Sequence, residues 1–306
     1  MTQQTQKIVP NLWFNGNAEE AIDFYVSVFP DSKIHSVQRY PSSTEEGLAE
    51  FQKDLAGKVL TIEFSLAGYE FVAINAGPEF APTPALSFFV NFDPSRMENP
   101  REQLDAMWEK LIDGGTALMP LQEYPFSKHY GWVQDKYGFS WQLMLTNPDG
   151  EPRPMIVPCL MFGGANNGRG QEAVDLYTGL FDAQLGNIVK YDQPVESIEA
   201  GSIMYGDFQL ARQWFAVMDS GPDHVFTFNE AVSLAVKCDD QAEIDKYWSV
   251  LSTVPESEQC GWCKDQLGVS WQIVPAAMGE LMSGPDAYGK MMQMKKIIIK
   301  DLEEAN

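Results

Sequence analysis

The sequence predicts an α+β fold in which two similar domains follow one another along the chain. The length of 306 residues fits two domains, since a domain takes roughly 100–200 residues. Several segments of the first half recur in the second half in the same order. Each copy also reads as a strand, a helix and further strands, and this pattern then occurs once more within the copy.

The internal repeat extends over nearly the whole chain. IVPNLWFNG at 8–16 recurs as IVPCLMFGG at 156–164, and GWVQDKYGFSWQLM at 131–144 recurs as GWCKDQLGVSWQIV at 261–274. Because the order of the shared segments is kept, the repeat indicates a duplicated domain rather than a short shared motif.

The repeat also sets the predicted domain boundaries. The first domain is expected at 1–147 and the second at 154–306. Residues 148–153 form the linker, inside the proline-rich stretch TNPDGEPRP. The second domain is expected to carry an additional C-terminal helix at roughly 286–304.

The elements of the first copy follow from local patterns. Apolar residues at helical spacing predict helices at 18–29 and 100–113, and Gly114-Gly115 is a plausible end for the second helix. Short apolar or alternating runs between turn residues predict strands at 8–14, 34–40, 58–67, 70–76, 86–92, 130–135 and 139–145. Each copy is therefore expected to hold two βαβββ modules, and the chain four.

Composition excludes several classes of function. The net charge of −22 repels phosphate backbones and anionic lipids, so neither a nucleic acid nor a membrane is an expected partner. The sequence contains no apolar run long enough for a membrane span and no visible signal peptide, and we expect a cytoplasmic protein. All four cysteines lie in the second half, which favours reduced thiols over a disulfide framework.

Three motifs carry a resemblance to a known family. The opening IxPxLxF-G, the helix EAxxFY and the closing GWxxDxxGxSWQ resemble the PhnB-like branch of the glyoxalase/bleomycin-resistance/extradiol-dioxygenase (vicinal oxygen chelate) superfamily. Related sequences often carry a name of the 3-demethylubiquinone-9 3-methyltransferase-like type. The resemblance implies that each pair of modules curls its mixed sheet into a cup, with helices on the convex side and a ligand in the concave side.

Strand alternation predicts which side chains face the cups. In the first copy Ser87 and Gln142 are expected to face the cup, because their neighbours form the aliphatic face that meets a helix. Ser233 and Gln272 are the equivalents in the second copy. Trp132 and Trp262 could stack on a ligand or simply pack.

The resemblance also implies where a metal would be bound. Metal-using members place His on the opening strand of each module and Glu in the closing motif. Here the Glu positions hold Gln142 and Gln272, and the opening positions hold Val9, Ser87, Val157 and Ser233. Amides and hydroxyls are poor ligands for transition ions, so we expect no metal cofactor. The alternative is one divalent metal ion on displaced ligands such as Asp207, Asp219 or His224.

The second copy is the more family-like of the two. It has Phe228, Asn229 and Asp219 where the first copy has Pro82, Thr83 and Asn75. We therefore expect its cup to be the principal ligand site. The predicted ligand-binding residues are Gln272, Ser233, Asn229, Phe228, Trp262, Asp219, Gln142, Ser87 and Trp132, and no catalytic residue is assigned.

Three functions remain open from the sequence. The first is a small-molecule-binding protein or enzyme of the superfamily without the usual metal triad. The second is a metal-dependent lyase, isomerase or dioxygenase, and the third is a non-catalytic sequestering protein. The glycines at 168 and 170 resemble part of a dinucleotide-binding loop, but they form an insertion in a turn. The two copies are expected to pack as an intramolecular pseudo-dimer, with a further homodimer left open.

Overall fold

The computed structural model describes residues 6–284 and 286–305, and it has an α+β fold with two mixed sheets. The elements of the first repeat are β1 (Ile8–Phe14), α1 (Ala18–Val28), β2 (Lys33–Arg39), β3 (Val59–Leu66), β4 (Tyr69–Asn75), β5 (Leu86–Phe92), α2 (Pro100–Ile112), β6 (Thr116–Tyr124), β7 (Ser127–Gln134) and β8 (Ser140–Leu145). Short 3-10 helices at Thr44–Glu46 and Glu50–Leu55 lie between β2 and β3.

The second repeat follows the same order for most of its length. Its elements are β9 (Ile156–Gly163), α3 (Gly170–Leu180), β10 (Ala183–Lys190), β11 (Ile203–Leu210), β12 (Gln213–Gly221), β13 (Val232–Cys238), α4 (Gln241–Leu251), β14 (Trp262–Lys264), β15 (Ser270–Pro275), α5 (Met278–Leu281), α6 (Ala287–Met291) and α7 (Ile299–Glu303). The predicted fold class is confirmed. Within the described residues, no helix is long and apolar enough to cross a membrane.

Each sheet combines one module from each repeat. The seven-stranded sheet has the order β14-β15-β13-β1-β4-β3-β2, and the eight-stranded sheet has the order β10-β11-β12-β9-β5-β8-β7-β6. Within each sheet the two modules are joined by an antiparallel pair of opening strands, β1 with β13 in the first sheet and β5 with β9 in the second. This pairing differs from the expectation that the two modules of one repeat share a cup. Local sequence patterns define the individual strands, but they do not determine which two opening strands pair with each other.

The helix-facing sides of the strands form one large core. It includes Leu12, Phe88, Trp141, Phe162 and Trp271, all of which are almost fully buried. The opposite faces carry Asn11 and Ser233 in the seven-stranded sheet and Ser87 and Gln142 in the eight-stranded sheet, as strand alternation predicts. We call these opposite faces the seven-stranded cup and the eight-stranded cup.

A buried aspartate ties together the two modules of each repeat. The Asp135 carboxylate accepts bonds from the Tyr25 hydroxyl at 2.6 Å and from Trp141 Nε1 at 2.8 Å. Two backbone N–H groups, of Tyr137 and Phe139, bind its other oxygen at 2.8 and 3.0 Å. Because α1 carries Tyr25, the first module is held against the second although their strands lie in different sheets. The Asp and Trp of the closing motif therefore have a structural role, as Asp135 and Trp141 show here.

The second repeat contains the same cluster. Tyr177 and Trp271 donate to Asp265 at 2.7 and 2.8 Å, and the backbone N–H groups of Leu267 and Val269 do so at 2.8 and 3.0 Å. Burial raises the pKa of Asp135 and of Asp265, and the donors act in the opposite direction. The two clusters are therefore equivalent in chemistry as well as in position.

The fourth module departs from the βαβββ pattern. A 3-10 turn at Pro255–Ser257 stands between α4 and β14, where the second module has β6. The sequence also did not reveal β6 itself, because most of its side chains are exposed and do not alternate clearly. The predicted helix at 286–304 is wrong as a single helix, since it is divided into α6 and α7. The carbonyls of Met294 and Lys295 instead accept bonds from the backbone next to β14.

The C-terminal segment packs beside the seven-stranded sheet. The rings of Tyr288 and Tyr40 are in edge contact, with their centroids 6.4 Å apart, and the Tyr288 hydroxyl donates to Gln52 Oε1 at 3.1 Å. Tyr40, Leu48 and Tyr288 form a small buried cluster with methionines of the same segment. A large cavity lies on the eight-stranded sheet instead.

Candidate functional site

A cavity of about 710 Å³ lies in the eight-stranded cup. Its walls come from both repeats, because β5 and β8 belong to the first and β9, β11 and β12 to the second. Most lining side chains are apolar or aromatic, and these are Phe89, Pro125, Phe126, Tyr130, Met144, Leu145, Val157, Val189, Tyr191, Met204, Tyr205 and Met218. The volume and composition are typical of small-molecule sites, which usually measure roughly 300–1,000 Å³.

Residue size accounts for part of the difference between the two cups. On β1, Trp13 packs against Phe80 at 5.0 Å and Trp262 at 5.9 Å between ring centroids, and its indole N–H donates to the Gly77 carbonyl. The equivalent position on β9 is Met161. A bulky indole therefore occupies space in the seven-stranded cup where the eight-stranded cup has a flexible side chain.

A chain of hydrogen bonds forms the polar part of the eight-stranded cup. The Tyr130 hydroxyl donates to Gln142 Oε1 at 2.7 Å, and Gln142 Nε2 donates to Ser87 Oγ at 2.8 Å. Gln142 is almost fully buried but also lines the cavity. A primary amide has two N–H groups and two lone pairs. The Cys159 thiol also lies within hydrogen-bond reach of the Gln142 and Ser87 side chains, so Gln142 keeps one acceptor position, on Oε1, for a bound molecule.

An ion pair lies at the wall nearest the linker. Arg153 Nε donates to Asp207 Oδ2 at 2.9 Å, and the guanidinium carbon lies 3.7 Å from the centroid of the Trp214 ring. Asp207 also accepts a bond from the backbone N–H of Asn187 at 2.7 Å. The side chains of Arg153 and Asp207 are only 12% and 4% exposed, so both charges are largely removed from water.

The rim of the cavity carries exposed apolar side chains. Phe126, in the turn between β6 and β7, is 61% exposed and stacks on Tyr124 at 5.6 Å. Val189 and Met204 form part of the lining from β10 and β11, and both are exposed as well. These side chains extend the apolar surface of the cavity to the solvent boundary.

Three of the predicted ligand-binding residues lie in the eight-stranded cup. Gln142 lines the cavity, and Ser87 lies behind it as its hydrogen-bond acceptor. Trp132 is buried in an apolar cluster with Phe89, Tyr130 and Val157, and its indole N–H donates to Ser140 Oγ at 2.6 Å. Its indole therefore packs in the wall, and the structure brings these three residues to one site.

Three further predicted residues lie in the seven-stranded cup. Gln272 Nε2 donates to Ser233 Oγ at 3.0 Å, which matches the bond between Gln142 and Ser87. Trp262 is in edge contact with Trp13. Gln272 and Gln142 are therefore equivalent residues in different cups.

The remaining predicted residues make structural contacts. Phe228 packs against Phe162 at 5.0 Å, and Asn229 bridges the Ala81 carbonyl and the Ala231 N–H. The Asp219 carboxylate accepts bonds from the backbone N–H groups of Gly170, at the start of α3, and of Ile203. Asp219 thus faces the helix side of the sheet, and these three side chains do not form a common pocket.

The metal-ligand positions of the resemblance do not suit a divalent ion. In the eight-stranded cup they are Ser87, Val157 and Gln142, and the Gln142 amide is bonded to Ser87 and Tyr130. Among residues 6–284 and 286–305, no group of three His, Cys, Asp or Glu side chains could hold a metal ion. The suggested alternative ligands are engaged elsewhere, with Asp207 on Arg153, Asp219 on backbone N–H groups and His224 stacked on Phe226.

Sequence reasoning did not identify Arg153 and Tyr130 as part of the site. Arg153 was assigned to the linker, and no local pattern places a linker residue against a strand of the following module. The alternation that placed Gln142 in a cup could have identified Tyr130, since Tyr130 and Trp132 lie on the same face of β7. Asp207 was named as an alternative metal ligand, and it lines the cavity.

Comparison with known proteins gives the family. The model of the 3-demethylubiquinone-9 3-methyltransferase family matches the chain twice, over residues 6–144 and 154–274. A putative 3-demethylubiquinone-9 3-methyltransferase, PhnB protein, from Bacillus cereus is 41% identical, and the match covers 46% of this chain and 100% of that one with a TM-score of 0.39. No curated protein matches the chain significantly.

A second solved structure is similar over both repeats. A glyoxalase I mutant from Zea mays is 11% identical, and the match covers 90% of this chain and 93% of that one with a TM-score of 0.50. At this identity the similarity shows the glyoxalase fold alone. Because the family model matches most of both repeats, the chain belongs to the PhnB-like family described as 3-demethylubiquinone-9 3-methyltransferase, with the glyoxalase fold.

Proposed function

We propose that the protein binds a small molecule with an aromatic or otherwise apolar body in the eight-stranded cup. The observation that carries this proposal is the cavity of about 710 Å³ with its mainly apolar and aromatic lining. Burial of apolar surface is the main favourable term in such binding, and aromatic walls favour planar ligands through edge and offset contacts. Methionines at 144, 204 and 218 can adapt to the outline of a ligand.

The polar end of the ligand would lie against Gln142. The remaining lone pair of its Oε1 can accept a bond from a hydroxyl or amine group, and Tyr130 and Ser87 hold the amide in place. This assignment moves the proposed principal site away from Gln272. The reasons for favouring the Gln272 cup were Phe228, Asn229 and Asp219, which make structural contacts instead.

Binding without turnover is the form of this function that the side chains favour. Burial raises the pKa of Cys159, beside Ser87 and Gln142, to about 12, and burial also raises the pKa of Tyr130. The Asp207 carboxylate is held by Arg153. Neither the Cys159 thiol nor the Tyr130 phenol is therefore poised to exchange a proton near neutral pH, which supports a sequestering role.

The two repeats would act as an intramolecular pseudo-dimer. The β5–β9 pair joins them inside the cavity wall, where Ser87 lies opposite Cys159. Fusion keeps the partner module at high effective concentration, so the site needs no second chain for this contact. A cytoplasmic location fits this proposal but is not required by it.

A fluorescence titration with N-phenyl-1-naphthylamine tests the proposal. This neutral aromatic dye gains emission in apolar surroundings, and we expect saturable binding with one site per chain. Met204→Trp should block binding, because the larger side chain would narrow the cavity from its exposed rim. Gln272→Leu, in the other cup, is the matched control and should bind normally. Failure of the wild-type protein to bind this dye or other neutral aromatic probes would count against the proposal.

A further inference from the structure

We infer that the cavity discriminates against anionic ligands, and that Asp207 sets this selectivity by neutralising Arg153. The ligand class is then an uncharged or cationic aromatic molecule. This inference rests on the proposed function and specifies the charge of what the same site binds. Its first observation is that Arg153 is the one cation among the described lining residues, which also include Asp93, Glu151 and Asp207.

The geometry of Arg153 explains why it would not attract an anion. Its Nε binds Asp207 at 2.9 Å, its Nη1 lies 3.2 Å from Glu151 Oε2, and its guanidinium plane lies over Trp214. The Asp207 partner is almost fully buried, so water screens this pair only weakly. An incoming carboxylate or sulfonate would meet a cation that is already paired.

The other charges add to this discrimination. Asp93 also lines the cavity, and its nearest cation, Arg96 Nε, is 3.8 Å away on an exposed side chain. The whole chain carries a net charge of −22. An anion would therefore be repelled by the net negative charge of the protein, and inside the cavity it would find no unpaired positive group.

Removing the Asp207 charge should reverse the preference. In Asp207→Asn the side chain keeps an oxygen for the Asn187 N–H, while Arg153 loses its buried counter-charge. Arg153 would then keep only the exposed Glu151 carboxylate as a charged partner, and its open donors form a rigid fork that binds carboxylates and sulfonates well. The altered wall would then offer a cationic site to an anionic ligand.

Two dyes with the same ring system isolate the effect of charge. N-phenyl-1-naphthylamine is neutral, and 8-anilino-1-naphthalenesulfonate is the same molecule with an added sulfonate. For the wild-type protein we expect the anionic dye to bind at least about tenfold more weakly than the neutral one, the effect of a modest electrostatic difference. For Asp207→Asn we expect its affinity to rise by at least about tenfold, while the affinity of the neutral dye changes by less than about twofold.

Two further variants complete the experiment. Glu63→Gln changes the equivalent carboxylate in the other repeat, which bonds to Ser36 in the seven-stranded sheet, and it should alter neither affinity. Arg153→Gln leaves Asp207 unpaired, and it should tighten binding of the cationic aromatic dye thioflavin T. This variant also keeps the inference testable should Asp207→Asn fold poorly. Met204→Trp identifies binding outside the cavity.

The outcomes separate the inference from the proposed function. Equal wild-type affinity for the two naphthyl dyes, with both blocked by Met204→Trp, would overturn the charge selectivity and leave the proposed function standing. An unchanged affinity of the anionic dye in folded Asp207→Asn would overturn the role of Asp207. Absence of binding of either dye to the wild type would remove the proposed function itself.

Discussion

Gln142 and Gln272 are equivalent residues with different surroundings. Gln142 is 1% exposed and also accepts a bond from Tyr130, whereas Gln272 is half-buried and donates to Ser233. Residue 260, the equivalent of Tyr130, is a cysteine. The first amide is therefore part of a network that also orients a buried phenol, and the second is not.

Replacing each glutamine by leucine should reveal this difference. Gln142→Leu leaves the buried Tyr130 hydroxyl and Ser87 without their partner, and it should lower the free energy of unfolding by about 1–3 kcal/mol. Gln272→Leu should have a smaller effect, because Gln272 is only half-buried and loses one side-chain bond where Gln142 loses two. Urea unfolding followed by tryptophan fluorescence measures both variants. Equal losses would show that the Tyr130 bond contributes little.

Cys159 should resist thiol reagents in the folded protein. Burial raises its pKa to about 12, so the reactive thiolate is scarce at pH 8, and the side chain has no exposed surface. Cys260 is partly exposed and should be alkylated first. Timed iodoacetamide labelling with mass spectrometry, with and without urea, measures the order. Rapid labelling of Cys159 without urea would mean that the eight-stranded cup opens readily.

At the scale of elements, the Asp135 and Asp265 clusters hold helices to strands of another sheet. The folded-state pKa of each aspartate is raised, whereas the unfolded value is about 3.9. Below the unfolded pKa both states are protonated, so burial carries no penalty for charge. As pH rises through the window up to the folded pKa, the unfolded chain releases its proton first and stability falls.

Removing a donor should enlarge that fall. Tyr25→Phe deletes the 2.6 Å bond that lowers the pKa of Asp135, so the variant should lose more stability at pH 7 than at pH 4. We expect a loss of about 1–3 kcal/mol at neutral pH. Tyr177→Phe is the matched change in the second repeat and should behave alike. Urea titrations at both pH values test this, and a loss independent of pH would show that the Tyr25 bond does not favour the charged form of Asp135.

The elements also show how far sequence reasoning reaches. Strands such as β1 and β5 and helices such as α1 and α2 were predicted within about two residues, because apolar spacing records which side faces the core. Strand β6 was missed because exposed edge strands do not need that spacing. The position of Gln142 in a cup followed from alternation, but its cavity depended on which module lay opposite, and no local pattern contains that information.

At the scale of the molecule, the pairing of modules across repeats can be tested by cross-linking. Asn11 on β1 lies opposite Ser233 on β13, and directly paired residues on antiparallel strands have Cα atoms about 4.5–5.5 Å apart, within disulfide range. The Asn11→Cys, Ser233→Cys double variant should therefore form a disulfide on mild oxidation. A protease site placed between residues 147 and 154, the predicted domain boundaries, then shows whether this disulfide joins the two halves. These boundaries themselves remain predictions.

After cleavage in that linker, the two halves should remain joined on a non-reducing denaturing gel and separate on reduction. The single variant Asn11→Cys, cleaved in the same way, is the control and should give separate halves. Separate halves from the oxidised double variant would contradict the β1–β13 pair. Elemental analysis of the same preparations would test a separate expectation, that the protein holds no stoichiometric metal, because Gln142 and Gln272 occupy positions where metal-using members of the superfamily are expected to have glutamate.

The exchange of modules between repeats has a consequence for inheritance. A DNA segment that encodes one repeat specifies one wall of the cavity and one wall of the opposite cup, so recombination between related genes at the linker would replace half of each site at once. Such a chimera would keep Gln142 and Phe89 from one parent while acquiring Asp207 and Met218 from the other. New combinations of ligand shape and ligand charge could then arise in a single crossover, without an intermediate that lacks a complete fold.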